Sequence, residues 1–79
     1  MTYREALEKE RRWHKRALTI YLYHNLMLLK KKHWTIRDTA KKLEMSIGMI
    51  SESIRLATAM IDNPELEKMK RKDALKLIK

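Results

Sequence analysis

The run ALTIYLYHNLMLL, Ala17 to Leu29, constrains this chain more than any other feature. Wound as a helix it is apolar on nearly every side, interrupted only at His24 and Asn25. A lone surface helix keeps a polar face toward water, so this pattern needs cover on several sides. Either two other helices supply it or a second copy of the chain does. The run is too short to cross a hydrocarbon core, which takes about 20 residues. Ahead of it the first sixteen residues are dominated by charge, where a secretory signal would carry its apolar region.

What could cover the run follows from the choice of residues. The chain has one Gly, one Pro and no Phe, and is rich in Leu, Met, Ala, Lys and Glu, which are strong helix formers. The expectation is a small all-α domain of four to five helices over residues 1–79. At this length a domain buries only roughly 60% of the surface that its unfolded chain exposes. Caps and a partner chain therefore matter more than usual. With no cysteine, neither disulfides nor thiolate metal sites can add stability, and the expected compartment is the cytoplasm.

The helices can be placed by their ends. Thr2-Tyr3-Arg4-Glu5 reads as a capping box, opening a long N-terminal helix over 1–32. Its first half is laced with pairs at helical spacing, Arg4/Glu8, Glu5/Lys9 and Glu8/Arg12, each worth about 0.2–0.5 kcal/mol in an isolated helix. Lys30, Lys31 and Lys32 would close it, where the macrodipole favours cations. Thr35 is the next N-cap, with Asp38 in the first turn, and the second helix should reach Leu43 or Glu44. Ser46 can cap a third, along which Ile47, Ile50, Ile54, Ala57 and Ile61 recur at spacings of three and four. It should stop before Asp62-Asn63-Pro64, because proline disfavours the helical region for the residue ahead of it. Residues 64–79 form one further helix or two, with Asp73 as a candidate cap. The chain stops on an apolar pattern (Leu75, Leu77, Ile78), as a piece of a longer protein would.

The stretch TIRDTAKKLEMSIGMISESIR, Thr35 to Arg55, combines these signals into a helix-turn-helix spanning residues 35–61. Such a motif needs a small residue where its helices cross, which Ala40 provides. It also needs inward apolar positions, which Thr39, Leu43, Met45, Ile50 and Ile54 fit. TIRDTAKKL followed by SIGMISESIRLA resembles the helix-turn-helix of phage Cro and repressor proteins and of ParB/KorB-type partition proteins, over about residues 36–55. The resemblance implies that the first helix braces the DNA backbone and the second enters the major groove. It would make Ser46, Ile47, Gly48, Ser51, Glu52 and Arg55 the base-facing positions. Arg55 could pair with guanine, Glu52 accept from cytosine and Ile47 touch a thymine methyl. Glu44 stands where those families place glycine, so a left-handed residue there would cost about 1–2 kcal/mol; a longer or reshaped turn is the alternative.

Charge points the same way. The net +9 and pI near 10 favour a polyanionic partner, duplex DNA first and an anionic membrane surface second. Residues 1–34 carry +6, residues 35–63 are neutral and residues 64–79 carry +3. The reading unit is neutral and its flanks are basic, which suits flanking cations on phosphates and the second helix on bases, and equally suits a protein that keeps the helix-turn-helix as a packing unit and binds polyanions without sequence preference. The candidate phosphate contacts are Lys30, Lys31, Lys32, Thr35, Arg37, Lys41, Lys42, Arg71 and Lys72. Leu18, Tyr21, Leu22, Leu26 and Leu29 are the candidate core or homodimer surface; a dimer would set two recognition helices on successive half-sites.

The remaining residues read as structural. Trp13, Tyr21, Tyr23 and Trp34 are expected to pack rather than stack on bases, and Met27, Met45, Met49, Met60 and Met69 to fill gaps. His14, His24 and His33 are too widely spaced for a zinc site, so no metal or other cofactor is expected. There is no phosphate-binding Gly-rich loop, apolar carboxylate pair or nucleophile elbow, and the chain does not read as an enzyme. Two functions from different classes follow: a dimeric DNA-binding regulator or partition-like protein, or a protein–protein assembly module that keeps the helix-turn-helix as a packing unit. Membrane-surface binding ranks third, because the cations flank the apolar run instead of lining one side of it.

Overall fold

A computed structural model describes residues 2–78 of the chain. Five α-helices run in the order α1 (Tyr3–Lys9), α2 (Trp13–Lys30), α3 (Ile36–Leu43), α4 (Ile47–Asp62) and α5 (Arg71–Ile78), with a 3-10 helix (Pro64–Lys68) between the last two. The all-α expectation holds.

The expected single helix over residues 1–32 is instead two, α1 and α2, with extended backbone at Glu10 and Arg12 between them. Glu10 binds its own neighbour: its Oε1 accepts from the Arg12 backbone N–H at 3.1 Å and from Arg12 Nε at 2.9 Å. These hydrogen bonds from Arg12 hold the Glu10 carboxyl at about 2, well below its ordinary 4.5. Arg16 crosses the bend and donates to the Leu7 and Glu10 carbonyls, satisfying the end of α1. The fold gains a buried Leu7, 4% exposed, in one cluster with Ile20, Ala40, Leu43 and Ile50. Tyr3 meets Tyr23 edge to face across the same fold-back, with centroids 5.0 Å apart. Of the pairs expected along a continuous helix, Arg4–Glu8 forms at 3.7 Å, while Arg12 turns to Glu10.

Helix α2 is the spine. Ala17 joins Leu56, Ala57, Met60, Leu66 and Ala74 in a second cluster, and Ile20 belongs to the first. Both clusters draw on α2 and α4, and the apolar run from Ala17 to Leu29 is thus divided. Ala17, Ile20 and His24 are buried, Leu18 and Tyr21 pack against the second cluster, and Leu26 is half-buried. Leu22 and Leu29 remain 59% and 86% exposed.

At α4 the expected apolar stripe is shifted. Ile47 and Ile61, read as sharing a side with Ile50, Ile54 and Ala57, are 49% and 58% exposed, and the buried side is Ile50, Ser53, Leu56, Ala57 and Met60. The helix ends at Asp62, ahead of Asn63-Pro64, as the proline dictates. Within residues 64–78 the 3-10 helix and α5 are separate, and α5 begins at Arg71, not at an Asp73 cap; Asp73 lies in its first turn. Trp13 Nε1 donates to the Met69 carbonyl at 2.9 Å and ties the start of α2 to this C-terminal segment. No helix among the described residues is long and apolar enough to cross a membrane.

Candidate nucleic-acid interface

The α3–turn–α4 unit is built by its caps. Thr35 and Asp38 form a reciprocal capping box: the Thr35 hydroxyl accepts from the Asp38 N–H, and Asp38 Oδ2 accepts from the Thr35 N–H at 2.9 Å. These Thr35 hydrogen bonds, backbone first and then hydroxyl, lower the Asp38 pKa, with Lys41 and Arg37 adding to the effect. Ser46 Oγ accepts from the Met49 N–H at 3.1 Å and opens α4.

Between the helices Glu44 adopts the left-handed conformation, φ 55° and ψ 46°. The turn is therefore not reshaped to avoid the strain. The Met45 N–H reaches back to the Ala40 carbonyl at 2.9 Å, closing a Schellman-type end that a left-handed residue makes possible. The Glu44 carboxylate pairs with Arg4 of α1, but an exposed pair adds only about 0.2–1 kcal/mol. The closed carbonyls and the buried Leu43 beside Met45 do more to hold the turn.

Behind α3 lies a polar cluster that positions it. Thr39, fully buried, accepts from Trp34 Nε1 at 2.7 Å, and its Oγ1 is 2.6 Å from His24 Nδ1. An indole N–H can only donate, so the Thr39 hydroxyl accepts from Trp34 and keeps its own proton, which it can give to Nδ1 of a neutral imidazole. Burial favours that form and lowers the His24 pKa. The cluster locks α2, the Trp34 segment and α3 together. Trp34 is engaged in this cluster, as Trp13 is with the Met69 carbonyl and Tyr23 with Tyr3.

On the outer side, Ser46, Ile47, Gly48 and Arg55 are exposed, while Ser51 and Glu52 are half-buried. Gly48, Ser51, Glu52 and Arg55 share one side of α4 by helical spacing. Gly48 has no positive φ, and a Cβ built on it would meet nothing within 4 Å. Neither the backbone nor the packing of this chain requires a glycine there.

Lys30, Lys31 and Lys32 at the end of α2, and Thr35, Arg37, Lys41 and Lys42 around α3, are all exposed, as is Lys72. Thr35 is committed to its cap. Arg71 does not stand free on a flank: its Nη2 lies 3.1 Å from Glu52 Oε2 and 3.7 Å from Met49 Sδ. That contact links two predicted site residues nineteen positions apart, which no spacing rule foretells. Arg71 also lines, with Arg11, Arg16, Trp13 and Met49, a cleft of about 230 Å³ between the start of α2, α4 and α5. Sequence reading passed over Arg11 and Arg16 because they sit in what looked like a solvated helix. With Glu52 paired to Arg71, the other charges on the outer side of α4 are Arg55 and, seven positions further on, Asp62 at the helix end. Among the described residues no three His, Cys, Asp or Glu side chains gather as a metal ion would need. No family model, curated protein or solved structure matches this chain.

Proposed function

We propose that the chain is a dimeric DNA-binding helix-turn-helix protein, a phage- or plasmid-type regulator or partition-like protein acting in the cytoplasm at the nucleoid. Helix α3 braces the backbone, α4 enters the major groove, and the lysines at 30–32 with Arg37, Lys41, Lys42 and Lys72 neutralise phosphates. The observation that carries this reading is the division of α4. Ile50, Leu56 and Ala57 are buried, while Gly48, Ser51 and Arg55 are left on the outer side of a capped, tightly turned helix pair. Gly48 fits the same reading, since a glycine lets another molecule's backbone approach closely where the fold itself has no use for one. Leu22 and Leu29, exposed on α2, support the second copy, which would set two α4 helices about 34–36 Å apart on successive half-sites.

A gel shift against random duplex at low ionic strength, followed by selection of bound sequences and a mass measurement, tests this directly. A selected motif with two-fold symmetry is the expected result, and absence of salt-dependent duplex binding would overturn the reading. Arg55→Ala should weaken binding to the selected site by about 1–3 kcal/mol and relax its base preference. Lys31→Ala should weaken all sequences alike and lower the salt slope by about 1.

Gly48→Ala separates folding from binding. In an exposed, negative-φ helical position the change should stabilise the fold by about 0.4–1 kcal/mol, while the added methyl weakens duplex binding. Unchanged affinity in the stabilised variant would remove Gly48 from the contact surface.

A second reading, the protein–protein assembly module, is favoured by one observation: large apolar side chains on three helices, Leu29, Ile61 and Leu77, are each more than half exposed. It predicts an oligomeric mass without a selected DNA motif.

A further inference from the structure

The contact between Glu52 and Arg71 assigns these residues differently from the pattern of α4 alone. Arg71 is the first residue of α5, where the positive end of the helix dipole disfavours a cation. Its position is therefore not explained by the stability of its own helix. The pair is also partly exposed, with side chains 35% and 41% accessible, and pairs of that kind contribute little to folding. What the contact does is place a guanidinium on α4. Arg71 reaches both Met49 and Glu52 at the edge of α4: Met49 lines the cleft with Ser53 and Leu56 of the buried side, whereas Glu52 is spaced by three and four from Arg55 and Gly48 of the outer side. Glu52 engages one nitrogen of the guanidinium, and the fork has further N–H donors for a phosphate or a base acceptor.

We propose that the reading surface is composite: Arg71 of α5 supplies a cation to the outer side of α4, and Glu52 is the positioning residue that holds it there, not a base acceptor. The inference rests on the duplex-DNA reading given above. It reverses a sign. A carboxylate that merely faced DNA would repel phosphates, and its removal would tighten binding; a carboxylate that holds Arg71 in place weakens binding when removed.

The test is binding of a fluorescently labelled random-sequence duplex, followed by anisotropy across a salt series, for wild type, Glu52→Ala, Arg71→Ala and the double variant. Helix content and melting temperature are recorded for each, to show that the fold is intact. Arg71→Ala should weaken binding about fivefold or more and lower the salt slope by about 1, a change that a purely structural role would not produce. Glu52→Ala should also weaken binding, and the double variant should bind no worse than Arg71→Ala alone, because the two residues act as one unit. Arg71→Lys should recover the salt slope, since it restores the charge. Tighter binding by Glu52→Ala, or additive losses in the double variant, would overturn the composite surface while leaving the DNA reading standing. A wild type that binds no duplex would overturn both.

Discussion

Replacing Ile50 by alanine should destabilise the protein by about 2–5 kcal/mol, the range for truncating a buried aliphatic side chain where the cavity collapses only in part. Ile50 is fully buried and joins α4 to Ala40 and Leu43 of α3, Ile20 of α2 and Leu7 of α1. Four helices therefore lose contacts at once. A domain of this length has a total stability of roughly 4–12 kcal/mol, so the variant should lose a large share of it. The melting temperature should fall by about 4–8 °C for each kcal/mol lost. Urea and thermal unfolding followed by circular dichroism measure both. Ile47→Ala, at a 49% exposed position one turn earlier, is the matched control and should change stability by no more than about 0.5 kcal/mol. Similar losses at the two positions would mean that α4 presents a different side to the core.

That control also marks where the sequence stops being informative. Caps and terminators are written locally: Thr35 with Asp38, Ser46, and Pro64 each act on their own backbone, and each lies where its chemistry predicts. The inward set Thr39, Ala40, Leu43 and Ile50 was legible for the same reason, because α3 and α4 are adjacent and joined by a short turn. Residue type alone puts Ile61 on the buried side, and Ile47 too, although the helix-turn-helix resemblance sets Ile47 outward. Hydrophobicity favours burial, but the side of α4 turned to α2 carries the small residues Ala57, in one cluster with Ala17, and Ser53, which lines a cleft with it.

The bend between α1 and α2 was hidden more deeply. Glu10, Arg11 and Arg12 are acceptable helix residues, and nothing in their spacing announces a break. The break forms because Leu7 reaches a cluster drawn from α2, α3 and α4, and because Arg16 takes up the carbonyls that the bend exposes. Both are contacts that exist only once the chain has folded. The pairing of Glu52 with Arg71 is of the same kind. The candidate interface was accordingly legible as a set of outward positions on α4, and not as a set of partners.

The second large effect concerns Thr39, whose hydroxyl serves two buried groups. Thr39→Val keeps the shape and removes the oxygen, leaving Trp34 Nε1–H and His24 Nδ1 without their partner. A buried polar group left unpaired costs about 1–3 kcal/mol. Trp34 is only half-buried and can recover some of this from water, so the expected loss is about 2–4 kcal/mol. Thr39→Ser keeps the hydroxyl and deletes one methyl, which should cost about 0.8 kcal/mol. The ratio between the two variants reads the hydroxyl's role directly, and equal losses would show that the site depends on packing alone. The same cluster predicts a pH dependence. Burial holds the folded His24 below its ordinary 6.5, so the unfolded chain takes up its proton first as the pH falls. His24 therefore contributes its full stability above 6.5 and loses it as the pH drops through the lower folded value. Glu10 and Asp38 act in a more acidic window, since Glu10 is lowered from 4.5 to about 2 and Asp38 from 3.8. Between 6.5 and the carboxylate range the urea midpoint of the wild type should fall with pH. In His24→Gln, which can still accept from Thr39 but does not titrate, that part of the slope should disappear. A wild-type slope retained in full by His24→Gln would show that His24 is not held neutral in the fold.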